Sequence, residues 1–116
     1  MDHSKERFLV TGASGFVGGC LVRRLVELGA NVHAMIHSGS DLWRLKDIRS
    51  RMTLHEGDII DANFTVSVVD QAKPTVVYHL AAHGAYSVQN NARRILMTNV
   101  QGTYNLLEAL VVPNFS

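Results

Sequence analysis

The sequence predicts an α/β fold, a doubly wound parallel sheet with helices on both faces, and three observations lead there. Runs of β-branched and other apolar residues alternate with segments of helical periodicity, Gly, Pro, Asp and Asn fall between them, and a Gly-rich turn joins the first run to the first helical segment. Such alternation is the signature of βαβ units. Right-handed crossovers then fix a strand order of 3-2-1-4.

Each element follows from its residues. Arg7-Phe8-Leu9-Val10-Thr11 reads as a buried strand and Gly12-Ala13-Ser14-Gly15 as the turn after it. From Phe16 to Leu28, Val17, Leu21, Leu25 and Leu28 recur at helical spacing while Arg23, Arg24 and Glu27 take the other face, and Gly29 suits the position after a helix end. Asn31 to Ile36 makes a second strand, Ser38 to Asp41 a polar turn, and Leu42, Trp43, Leu45 and Ile48 a short helix. Met52 to Glu56 is a third strand ending at Gly57-Asp58. A third helix covers about 63–71, weakly specified because Val66, Val68 and Val69 are poor helix formers. Pro74 opens the strand Thr75 to Leu80, apolar enough to lie in the sheet centre. A polar loop over 84–91 leads to a long helix from about Ala92 to Leu110, which Pro113 stops.

The 116 residues, 47% hydrophobic and 18% charged, suffice for one domain over 1–116. Val111 to Ser116 reads as the approach to another element, so the domain is expected to be cut before a fifth strand and a C-terminal substrate domain. Eleven Lys and Arg against ten Asp and Glu leave a net charge of +1, no broad field for nucleic acid or anionic lipid. The single Cys20 excludes a disulfide scaffold and a cysteine-built zinc site, and a reducing cytoplasm is the natural compartment. No stretch approaches the roughly 20 apolar residues of a membrane span.

The strongest chemical signal is Thr11-Gly12-Ala13-Ser14-Gly15-Phe16-Val17-Gly18, which leaves an apolar strand and opens an amphipathic helix. Gly12 permits a tight exit from the strand, Gly15 lets backbone N–H groups approach a pyrophosphate, and Gly18 lets the helix pack on the sheet. The helix N-terminus then faces the anion. This is the pattern of a Rossmann-type dinucleotide site.

The spacing Gly-x-x-Gly-x-x-Gly resembles that of the extended short-chain dehydrogenases/reductases, and Gly-Phe-Val-Gly looks like the branch that modifies nucleotide sugars, the NAD-dependent epimerase/dehydratase group. Three further segments agree. Gly57-Asp58-Ile59 resembles the motif whose acidic side chain holds the adenine amino group, and His79-Leu80-Ala81-Ala82 the motif lining the cofactor ribose. The run from Asn99 to Ala109 matches the helix whose Asn supports the active-site backbone and a proton relay. The resemblance thus implies cofactor binding by Gly12, Ser14, Gly15, Phe16, Val17, Gly18, Asp58, Ile59, Leu80, Ala81, Ala82 and Asn99.

Cofactor choice turns on the end of the second strand. There an acidic side chain would select NAD, but the chain reads Ile36-His37-Ser38-Gly39-Ser40, which favours NADP over NAD. His37, Ser38, Ser40 and Arg44 are the available donors, although the family's phosphate-accepting members usually carry Arg where His37 stands.

The resemblance also implies what to look for in catalysis: a Tyr, a Lys four residues later, and a Ser or Thr. Tyr78, Tyr86 and Tyr104 are followed at that distance by Ala82, Asn90 and Glu108. The chain therefore reads as the cofactor half of an epimerase or dehydratase, inactive alone, that in its parent moves a hydride to and from a sugar carbon. Two alternatives stay open: a non-catalytic dinucleotide sensor or interaction module, and an extended-family reductase of a non-sugar substrate.

Other clusters carry less. His33 with His37 and His79 with His83 have metal-like spacing but belong to strands, so no metal is expected, and His33 reads as a rim side chain. Asp61 is an N-cap. The pairs Arg23-Arg24 and Arg93-Arg94 read as solvated faces. The loop 83–89 corresponds to one that borders the sugar in the family, with Tyr86 and Ser87 as substrate candidates. The broad apolar surface of the last helix, with Ile95, Leu96, Val100, Tyr104 and Leu107, points to a homodimer, as in extended-branch enzymes.

Overall fold

The computed structural model describes residues 5–81 and 91–111. Four strands, β1 (Arg7–Thr11), β2 (Asn31–Ile36), β3 (Thr53–Glu56) and β4 (Val76–His79), form one parallel sheet in the order β3-β2-β1-β4. β1 lies central because Phe8, Leu9 and Val10 are apolar towards both faces, and all three are buried. β4 is the sheet's outer strand in this arrangement, with Val76 and Val77 half-buried and Tyr78 exposed, so its apolar composition does not place it at the centre of these four strands.

Helices cover both faces. α1 (Phe16–Glu27) seats Val22, Leu25 and Val26 on Phe8, Val10, Val32, Ala34 and Ile36. It ends where Gly29, at φ +78°, turns back so that the Ala30 amide reaches the Leu25 carbonyl. α2 (Ala62–Ala72) places Val68 and Val69 on the opposite face with Leu9 and Met35, and the Asp61 carboxylate caps it by accepting from the Phe64 amide at 3.1 Å. Tertiary packing overrides the weak helix propensity of its valines. The long C-terminal helix runs as α3 (Ala92–Leu96), a π-helical turn (Met97–Gln101) and α4 (Gly102–Val111). α4 lies beside α2 through Leu106 and Ala109.

The expected helix over 42–48 is not one. The Asp41 carboxylate accepts from the Trp43 amide, and amide-to-carbonyl bonds three residues apart join Leu45 to Leu42, Ile48 to Leu45 and Arg51 to Ile48. These are successive tight turns ending in a single 3-10 turn, Arg49–Arg51. Leu45 and Ile48 still reach the α1-side core. Arg23, read as part of a solvated face, ties this segment to α1 by a two-pronged contact with Asp47 at 2.8 Å and a bond to the Arg44 carbonyl. Asp47 is thereby held down to about 2, chiefly by that hydrogen bond. No helix among the described residues is long and apolar enough to cross a membrane.

Candidate functional site

A cleft of about 870 Å³ opens where the chain leaves the C-terminal ends of β1, β2, β3 and β4, the place at which open α/β sheets bind ligands. Its floor is the Gly-rich turn. Gly12 has φ +68°, and a Cβ there would sit 2.6–2.7 Å from the backbone of Leu80 and Ala81. A Cβ on Gly18 would fall onto the Gly12 carbonyl oxygen and within 2.9–3.0 Å of the Gly12 and Ala13 backbone. The turn, α1 and the strand-4 exit therefore meet backbone to backbone. Gly15 is the N-cap of α1; no side chain caps that end and no acid lies in its first turn. A helix N-terminus so exposed is an anion site by charge and by hydrogen-bonding capacity, and the cradle fits the pyrophosphate of a dinucleotide.

One ordered hydrogen-bond chain fixes the cleft wall. The Leu80 and Ala81 amides donate to Thr11 Oγ1 at 2.9 and 3.0 Å, so the Thr11 hydroxyl proton is left for His79 Nδ1, 2.7 Å away. At the far side Thr103 Oγ1 donates to the Asn99 carbonyl at 2.7 Å and accepts from His79 Nε2 at 2.8 Å. Both ends are backbone groups with fixed roles, and they force a neutral His79 with its proton on Nε2. Burial pushes His79 in the same direction, below the ordinary histidine range. The chain thus links β1, β4 and the π-helical turn that carries Asn99.

The third wall is built around Asp58. Its Oδ1 accepts from the Ile60 amide at 3.0 Å; its Oδ2 lies 2.9 Å from Arg94 Nη1 and 3.5 Å from His37 Nε2. Burial alone would raise its pKa, but the Ile60 amide, the Arg94 guanidinium and the His37 ring outweigh it and hold the carboxyl below its usual range. The buried Asn105 amide clamps the same segment, donating to the Ile59 and Ile60 carbonyls at 2.9 Å.

Of the residues singled out from sequence, the structure brings Gly12, Ser14, Gly15, Phe16, Val17, Gly18, His37, Asp58, Ile59, Leu80 and Ala81 to this cleft. Ser40 lines it as well. Ser38 and Arg44 are not part of its wall: the Ser38 carbonyl lies 2.7 Å from His37 Nδ1, and Arg44 stands over Trp43 and donates to the Ser14 carbonyl at 3.2 Å. Asn99 is not among the residues lining the cleft, and its carbonyl ends the hydrogen-bond chain described above. Ala82, His83, Tyr86 and Ser87 lie outside the described residues.

Sequence reasoning missed Arg94, read as solvated but turned onto Asp58, and Thr98 and Asn105. Arg94 and Thr98 stand four residues apart, a helical spacing that would have paired them, yet nothing local announces Asp58 as their neighbour 36 residues away. His33 is no rim residue. Its Nδ1 lies 2.8 Å from Nε2 of the buried His55 with the rings stacked, and burial lowers the pKa of both.

Comparison with known proteins adds an independent line. Residues 9–114 match the family model of GDP-mannose 4,6-dehydratase. The chain is 34% identical over 112 residues to dTDP-glucose 4,6-dehydratase of Neisseria meningitidis, covering 90% of this chain and 31% of that protein. It is also 34% identical over 105 residues to cinnamoyl-CoA reductase 2 of Medicago truncatula, covering 86% of this chain and 30% of that one. Among solved structures, an enzyme of Bordetella bronchiseptica in complex with NAD and UDP superposes with a TM-score of 0.78 at 28% identity, over 90% of this chain and 33% of that chain. The chain thus spans about a third of the length of these relatives.

Proposed function

We propose, on the premise that this chain belongs to the GDP-mannose 4,6-dehydratase family within the extended short-chain dehydrogenases/reductases, that it is the NAD(P)-binding part of a nucleotide-sugar epimerase or dehydratase. One observation carries the reading: a glycine cradle under an uncapped helix N-terminus, facing a cleft whose far wall bears a fixed carboxylate. Amides of the first turn of α1 would hold the pyrophosphate, with Ser14 and Gly15 at the entry. Asp58 would accept from the adenine amino group, and Leu80, Ala81 and Ala82 would line a ribose. Tyr86 and Ser87 border the sugar in this reading, and Asn99 supports the reacting end. When bound, the nicotinamide supplies reversible hydride transfer to and from a sugar carbon.

No Tyr of the chain has a Lys four residues on, so the chain by itself turns over no nucleotide sugar. The end of β2 offers His37 and Ser40 and no acid, which supports NADP over NAD. Leu96, Val100, Tyr104 and Leu107 form an exposed stripe along the last helix, and we assign it to a homodimer contact. The single cysteine and the dinucleotide fit a reducing cytoplasm.

A reductase of a non-sugar substrate is the second reading, favoured by the likeness to a cinnamoyl-CoA reductase at the same identity as the dehydratase. Titration of the chain with NADP and NAD, beside His37→Asp, tests the cofactor part. NADP should bind more tightly to the wild type and NAD to the variant; equal ratios in both would refute the placement of the 2′-phosphate at His37.

A further inference from the structure

His37 stands in the cleft wall where β2 ends, and its two ring nitrogens have different surroundings. Nδ1 lies 2.7 Å from the Ser38 carbonyl oxygen, which can only accept, so Nδ1 carries a proton whatever the charge of the ring. The side chain is 55% exposed, and its Nε2 is turned towards Asp58 Oδ2, also in the cleft wall, at 3.5 Å, too far for a well-formed hydrogen bond. The neutral ring therefore presents an uncommitted Nε2 that accepts, and the imidazolium an Nε2–H that donates and carries charge. One proton inverts what this wall offers a ligand.

We propose that His37 is a protonation-gated selector between the two dinucleotides: its charged ring takes the 2′-phosphate of NADP, and its neutral ring accepts from the 2′-hydroxyl of NAD. This rests on the placement of the cofactor's 2′ position beside His37. The NADP preference then belongs to the charged ring and narrows as the proton leaves. Ser40, on the same wall, carries a hydroxyl that serves either group at any pH. The charged groups facing the ring are Asp58, from the segment after β3, and Arg94 of α3, which holds the same Asp58 oxygen. Asp41 and Arg44, in the segment that follows β2, are turned to Trp43 instead. An imidazole changes charge between about pH 5 and 8, whereas Asp58 is held below the usual carboxylate range and stays ionised there. Asp58 therefore contributes no titration of its own to the preference.

The test is calorimetric titration of the 116-residue chain with NADP and with NAD at steps between about pH 8 and 6. In the wild type the ratio of NADP to NAD affinity should rise about tenfold on acidification, the difference between a charge-assisted and a neutral contact. The 2′-phosphate gains a proton over the same span and so works against that rise. His37→Arg, charged throughout, should favour NADP already at pH 8 and show no rise, and His37→Gln, neutral throughout, should show no rise from a lower starting ratio. A wild-type ratio that does not rise, or the same rise in His37→Gln, overturns the selector. A ratio that no His37 substitution alters at any pH overturns the placement of the 2′ position as well. A wild-type chain that binds neither dinucleotide overturns the reading of the cleft, and the selector with it.

Discussion

Adjacent glycines in α1 should respond to alanine with opposite signs. Gly18 and Gly19 are both buried in the same helix, where replacing Gly by Ala gains about 0.5–1 kcal/mol from backbone entropy. Around Gly19 the new methyl meets the Arg44 side chain at 3.4–3.5 Å and the Ala13 carbonyl oxygen at 3.6 Å, all ordinary contacts. At Gly18 it strikes the carbonyl of Gly12 and the Ala13 backbone, atoms of a turn that is itself fixed against Leu80 and Ala81. Neither can rotate away, so α1 must lift from the turn at an overpacking cost of about 1–3 kcal/mol, which exceeds the propensity gain. Urea unfolding followed by circular dichroism should show Gly19→Ala at or above wild-type stability and Gly18→Ala below it. Gly18→Ala should also lose dinucleotide affinity because the first-turn amides move. Equal stability of the two variants would refute the backbone-to-backbone packing that shapes the site.

Three further outcomes are expected. Thr11→Val strands the Ala81 amide and the His79 Nδ1 acceptor and leaves the Leu80 amide its 3.3 Å bond to the Thr11 carbonyl, so it should destabilise by about 1–3 kcal/mol, read by urea unfolding. Burial lowers His33, His55 and His79 in the folded state, so the unfolded chain binds protons first as the pH falls. Their contribution is complete above the unfolded value of about 6.5 and is lost on acidification through the depressed folded values; thermal midpoints should fall between about pH 7 and 5, above the carboxylate range, and His33→Gln with His55→Gln should flatten that slope. Leu107→Glu, on the exposed stripe of the last helix, should leave the monomer's fold intact and shift light-scattering mass from dimer to monomer; a wild-type monomer at high concentration would contradict the assigned contact.

What could be read from the sequence was what local pattern determines. β1 carries the apolar run Phe8-Leu9-Val10 and β2 ends in Ala34-Met35-Ile36, α1 carries its own apolar stripe followed by Gly29, and Gly12 and Gly18 are required by backbone conformation and space. The turns over 42–51 escaped because Leu42, Leu45 and Ile48 fit helical spacing while Asp41 and successive three-residue bonds hold the backbone tighter. Strand β4 is shorter at both ends than its apolar run, although the Thr75 and Leu80 amides still bond the Arg7 and Thr11 carbonyls; there the Thr75 and Thr11 hydroxyls also accept from the Arg7 and Leu80 amides. Arg94 on Asp58, Asn105 on the Ile59 and Ile60 carbonyls, and His33 on His55 are contacts across 22 to 46 residues, which periodicity does not encode.

The central claim, that the cradle at the start of α1 holds a pyrophosphate, is tested most directly by titrating NAD into the wild-type chain and into Gly15→Asp. Gly15 has φ −75°, and a Cβ there meets only the Gly12 oxygen at 3.5 Å, so the variant should fold. Its carboxylate should cap α1, a favourable arrangement for the helix, and occupy the anion position. The account predicts binding by the wild type and none by a variant of equal or greater thermal stability. NAD affinity that survives in the folded variant would contradict it.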